Sequence, residues 1–175
     1  QLVLDVELVL ISVVQGVALS TLAIEGGPRI HELSPLTAVY LATGLLFVLS
    51  FWSVAIIHAI SFVMWPMDLG HYSFYFALAL LECLTFAQMD HPAAWFGGSL
   101  ACFLTTSFLY LYDYRLIRAR RLAFEGTEPR RALYAHILRH QLLEMRFLMP
   151  AGLLFTFVAW LAVRSNEGLA LPFAV

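Results

Sequence analysis

Apolar residues run in blocks too long for the helices of a soluble domain. Residues 36–65 contain no Asp, Glu, Lys or Arg, and the block ends in Trp65-Pro66. About 20 helical residues cross a hydrocarbon core of roughly 30 Å, so this block spans a membrane with a turn or two to spare. Blocks of the same character run over about 2–24, 72–89, 93–112 and 147–163. Polar punctuation separates them: Glu25-Gly26-Gly27-Pro28 stops the first, and Ser34-Pro35 reads as an N-cap with proline in the first turn of the second. Asp68-Leu69-Gly70-His71 and the short hairpin Asp90-His91-Pro92 bound the third. The pattern predicts an all-α, polytopic transmembrane helical bundle of five spans, or six if Glu167-Gly168 and residues 169–175 begin another. The acids Asp5 and Glu7 near the start argue against a cleavable signal peptide.

One substantial polar stretch, 113–146, interrupts this series and divides the chain into a four-span unit (1–112), an Arg-rich link (113–146) and a fifth span with its tail (147–175). Eight of the ten Arg lie in that link, and Arg beside the spans marks the cytoplasmic side, so the link and the amino terminus are expected inside. Arg115, Arg118, Arg120, Arg121, Arg130 and Arg131 are the expected contacts to lipid headgroups. Trp65, Tyr72, Tyr110, Tyr112 and Tyr114 form the inner aromatic belt, with Trp95 and Trp160 towards the outer face. After a break at 125–129, Leu133, Ile137, Leu138 and Leu142 recur at helical spacing. This predicts an amphipathic helix that lies on the membrane or feeds straight into the last span.

Composition agrees, with 61% hydrophobic residues, 13% charged and a mean hydropathy of +0.81, against about 25% charged in ordinary soluble domains. A net charge of -2 gives no reason to expect a nucleic-acid partner. Every basic residue is Arg and none is Lys, which points to a GC-rich bacterial genome and thus to a bacterial inner membrane.

Within the spans, polar residues are few, and an ionisable one at mid-bilayer is costly unless it faces protein or water. Glu82 lies about 15 Å along its helix from Tyr72. Gln15, His58, Thr105, Thr106 and Ser107 come to a similar depth on other helices. Such a layer either joins helices by hydrogen bonds or serves an ion or proton pathway, with Glu82 as the titrating group and His58 as its ionisable neighbour. A cofactor or catalytic pocket is the third reading. His136, His140 and Glu144 at i, i+4 and i+8 lie along one helix face and could hold a metal with a ligand from elsewhere. No cofactor is predicted: a bis-histidine haem needs two His at matched depths, and only His58 is clearly intramembrane. Cys83 and Cys102 read as packing residues, and no Walker loop, Gly-x-Ser-x-Gly or His-Glu-x-x-His is present. Gly16, Ala18 and Ser20, Ala55 and Ala59, and Gly97-Gly98 with Ser99 and Ala101 predict close approach of spans one, two and four. The apolar surface that five short helices leave suggests a homo-oligomer or other membrane subunits as partners besides the bilayer.

Residues 13–19 (Val-Val-Gln-Gly-Val-Ala-Leu), the run from Leu49-Ser50-Phe51-Trp52 to His58, the short outer turn and the Arg-rich link resemble the transmembrane protein 175 family of potassium-permeable channels. In that family span one carries a Phe-Ser-Asp signature and lines a pore assembled from six-helix units; here Val13, Val14 and Gln15 stand at those positions. The resemblance implies that Gln15, Val17 and Leu19 face a pore. The function expected is a channel-like or ion- or proton-pathway component acting in an oligomer. The alternatives are a non-catalytic scaffold subunit of a larger membrane complex and, third, a membrane enzyme with a metal site at the inner face.

Overall fold

The computed structural model describes residues 2–32, 34–61, 69–123 and 128–170. The Trp65-Pro66 stop, the turn at Asp68, the centre of the break before Pro129 and the tail 171–175 lie outside the described residues. Six α-helices follow one another: α1 (Leu2–Gly26), α2 (Pro35–Ser61), α3 (Leu69–Phe86), α4 (Pro92–Ala123), α5 (Glu128–Leu143) and α6 (Met149–Ala170). A 3-10 turn, Gly27–Glu32, follows α1, and a π turn, Glu144–Leu148, joins α5 to α6. No strand occurs among the described residues. Five segments are long and apolar enough to cross a membrane, as expected.

Helix starts obey local chemistry. Ser34 Oγ accepts the Thr37 N–H at 3.1 Å, capping α2 with Pro35 in its first turn. At the other hairpin the Trp95 N–H reaches the His91 carbonyl, which puts Pro92 at the first position of α4.

Two boundaries differ from expectation. The fourth helix does not stop at Tyr112 but continues to Ala123, because its buried stripe Trp95, Ser99, Cys102, Leu109, Asp113 and Ile117 keeps helical spacing past the first charges. The last candidate span runs from Arg131 to Ser165 without a break, so the Arg-rich link feeds directly into α6. Those 35 residues rise about 52 Å, more than the roughly 30 Å hydrocarbon core, so part of the segment lies beyond it. The π turn sits immediately before Pro150, which has no N–H for the Arg146 carbonyl, and the wider turn absorbs that loss, with the Met149 N–H bonding the Glu144 carbonyl.

Backbones pack most extensively between α3 and α4, α4 and α6, α1 and α2, and α1 and α3. Small residues permit two of these approaches: Gly98 leaves room only for Thr85 of α3, and Gly152 only for the Phe103 ring. Gly16, by contrast, faces open space, so the stripe expected to draw α1 to its neighbours works through Ala18 alone, which is fully buried. Aromatic contacts tie α2 to α4: Tyr40 stacks on Trp95 at 4.5 Å and Phe47 meets Phe103 edge-on at 5.2 Å. On α5, Ile137 and Leu138 bury against Ile117 of the α4 extension, whereas Leu133 and Leu142 stay exposed.

Candidate functional site

Helix α1 buries one face, Glu7, Ile11, Gln15, Ala18 and Leu22, at spacings of three and four. The facing stripe on α3 is His71, Tyr75, Leu78, Ala79, Glu82, Thr85 and Phe86. Where these stripes meet that of α4, polar and apolar levels alternate along a common seam.

The first polar level is a buried pair. His71 Nδ1 lies 2.8 Å from Asp113 Oδ1, with the two residues 2% and 1% exposed. A carboxylate acceptor assigns the Nδ1–H tautomer to the imidazole. Tyr75 packs its ring 4.3 Å from the imidazole, and Phe51 meets Tyr75 edge-on at 5.2 Å. Tyr72 of α3 and the buried Glu7 of α1 lie at the same level. Three helices thus place two acids, an imidazole and two phenols together.

Ile11, Leu78 and Leu109, one from each helix, form an apolar level next along the seam. Beyond it Glu82, 2% exposed, lies against the Gln15 carboxamide at the middle of α1. Gln15 Nε2, Gln15 Oε1 and Glu82 Oε2 nevertheless complete no hydrogen bond. Cys102 faces Glu82 and lies 3.9 Å, sulfur to oxygen, from Thr85 Oγ1. Ser99 Oγ, also buried, has no partner. Four buried polar atoms without a hydrogen bond, Gln15 Nε2, Gln15 Oε1, Glu82 Oε2 and Ser99 Oγ, therefore lie at the Gln15–Glu82 level and just beyond it, with Gln141 Oε1 another on α5, and each such group is costly in a packed interior.

Of the layer expected from sequence, the structure brings together Gln15 and Glu82. Thr106 Oγ1 instead donates to the Cys102 carbonyl and Ser107 Oγ to that of Phe103, the usual resting place of a hydroxyl within an apolar helix. Thr105 is half-buried on the same turn. His58 belongs to α2, and its side chain lies outside the described residues. Of the three residues the channel resemblance assigns to a pore, Gln15 is buried towards α3 while Val17 and Leu19 are exposed.

The first polar level was not expected. His71 and Asp113 stand at span boundaries, where charged residues read as interfacial, and Glu7 looked like a flanking acid. The available signal was period: Asp113 continues the stripe of Cys102 and Leu109 at helical spacing, and His71 precedes Tyr75 by one turn.

Among the described residues, no group of three or more His, Cys, Asp or Glu side chains is placed to hold a metal ion. His140 Nδ1 does approach Glu144 Oε1 at 3.3 Å, and His136 is exposed one turn earlier. Arg115, Arg118 and Arg131 are exposed, and the side chains of Arg120, Arg121 and Arg130 lie outside the described residues.

At the far end of the seam, Arg29 Nη2 and Nε reach Asp90 Oδ2 and Oδ1 at 2.5 and 3.2 Å, and the same guanidinium bonds the Glu25 carbonyl. The Arg29 hydrogen bond holds the Asp90 carboxyl below its ordinary value. A lowered folded value stabilises above the unfolded carboxyl range near about 3.9 and is lost as pH falls through the folded value. Asp90 is exposed, so the effect is small and screened by salt. The difference in thermal midpoint between the wild-type protein and Asp90→Asn should stay constant from pH 8 to 5 and shrink below that; a gap that widens on acidification would contradict the assignment.

No family model, curated protein or solved structure matches this chain.

Proposed function

We propose that the chain is a proton-pathway component of a membrane assembly, with Glu82 as the group that takes up and releases the proton. The observation that carries this reading is the Gln15–Glu82 level itself: an ionisable side chain 2% exposed in the middle of packed apolar helices, with polar atoms left unpaired around it. Groups used only to join helices satisfy one another; groups that exchange a proton need spare capacity. Glu7, His71 and Asp113 supply a second exchange station about 16 Å away along α3. The close packing of these side chains suits a proton handed between groups rather than a hydrated ion. The aliphatic level of Ile11, Leu78 and Leu109 separates the stations, and water entering there would gate transfer.

A second reading, a scaffold subunit of a larger complex, draws support from α6. It packs mainly on α4 and exposes Leu154, Phe155, Phe157, Val158 and Leu161, a face that lipid, a second copy or another subunit could cover. Proteoliposomes with a pH-sensitive interior dye separate the readings. Under a proton gradient the wild-type protein should carry flux that Glu82→Gln lowers about a hundredfold or more, the usual size of a lost proton-transfer group, while size-exclusion behaviour is kept. Flux equal to that of empty liposomes, or loss of assembly in the variant, favours the scaffold.

A further inference from the structure

Two glutamines among the described residues are almost fully buried, and they are held differently. Gln141, 2% exposed, donates from Nε2 to the Tyr110 carbonyl at 2.8 Å, which fixes its amide in one orientation. Gln15, 3% exposed, has no such anchor: neither Nε2 nor Oε1 completes a hydrogen bond, although Glu82 of α3 lies against it. Its neighbours on the same face of α1, Ile11 and Ala18, are buried in the packed interior, so the stem of the side chain is held. The last torsion is not, and a carboxamide turns about that bond with a broad, roughly two-fold preference.

The two orientations present opposite chemistry to Glu82. With Nε2 forward the amide donates to a carboxylate; with Oε1 forward it accepts the O–H of a carboxylic acid. A partner able only to donate would favour the carboxylate and resist proton uptake, whereas one able only to accept would favour the acid and resist release. Cys102, which faces Glu82 from α4, is a weak donor and a weak acceptor, so the amide is the stronger partner in either state. The nearest acid on α1, Glu7, lies about 12 Å along the helix. On α2 the ionisable residue of similar depth is His58, whose side chain is outside the described residues.

We propose that Gln15 is a positioning residue for proton exchange at Glu82, turning its carboxamide to hold whichever protonation state the acid is in. The amide itself neither gains nor loses a proton. The inference rests on Glu82 as the exchanging group.

Infrared difference spectra of the full chain in liposomes, taken between acid and alkaline buffer, test it alongside proton flux. The carboxyl band that Glu82→Gln removes belongs to the acid, and the side-chain amide band that Gln15→Met removes belongs to the glutamine. Methionine conserves the volume of the side chain, and labelling the glutamine amides with heavy nitrogen assigns the second band in the wild-type protein without any substitution. The two bands should change together, with one midpoint. In Gln15→Met the carboxyl band should move in frequency and flux should fall about tenfold or more, the loss expected when a hydrogen bond to a charged group is removed. A Glu82 band that titrates while the amide band stays still, or wild-type flux in Gln15→Met, overturns the role of Gln15 and leaves Glu82 as the exchanging group. A wild-type protein with neither flux nor a titrating Glu82 band overturns both.

Discussion

Asp113→Ala should destabilise the protein by about 1–3 kcal/mol, the cost of removing one partner from a buried hydrogen bond. His71 and Asp113 are buried at 2.8 Å on different helices, so the substitution leaves the imidazole without its carboxylate at the α3–α4 contact. Replacing both partners with apolar residues, as in His71→Leu with Asp113→Leu, should recover much of the loss, since the penalty comes from the stranded partner rather than from the missing attraction. Reversible unfolding in mixed micelles, run as a double-mutant cycle, reads both quantities. An Asp113→Ala variant within about 0.5 kcal/mol of wild type, the range of ordinary surface substitutions, would mean that the pair is open to water and no structural joint.

Gly98→Leu and Gly16→Leu should differ sharply although both glycines lie on small-residue stripes. At Gly98 even a Cβ would collide with the Thr85 side chain, so a leucine must push α4 from α3 along their closest approach. Overpacking of this kind costs about 1–3 kcal/mol, occasionally more. It would also displace Cys102, one turn on, from its position facing Glu82. At Gly16 nothing lies within 4 Å of the added carbon, and leucine has the better helix propensity by somewhat under about 1 kcal/mol. Thermal aggregation midpoints in one detergent should fall markedly for the first and stay level or rise for the second. A destabilised Gly16→Leu would indicate that another chain covers that face of α1, which would favour an oligomeric or scaffold arrangement.

The spans were legible because their signal is one of solvent: a helix in hydrocarbon needs a long uncharged run, and a run such as 36–65 has no other stable environment. The caps at Ser34 and Pro92 were equally local, since one side chain or one missing N–H decides them. Glu82 and Gln15 stood out for the same reason, being polar within apolar runs. Pairing was not local. Nothing near Asp113 in the chain announces His71, 42 positions away, and its first-charge position after an apolar run marked it as interfacial. Thr106 looked equivalent to Gln15 by depth, yet its hydroxyl can satisfy itself on its own helix and the longer amide of Gln15 cannot.

The amino-acid sequence by itself determined the solvent, the helical class, the five apolar segments and the rarity of ionisable groups within them, because each depends on composition over a stretch of chain. Tertiary structure decided which polar groups meet. Rotation of each helix about its axis is set by how its small and large residues fit its neighbours, and Gly98 against Thr85 fixes α4 so that Asp113 and Cys102 turn towards α3. The same packing leaves Gly16, Val17 and Leu19 on the outside. A side chain one residue further along a helix points 100° away, so a seam of acids and imidazole depends on contacts that hydropathy does not record.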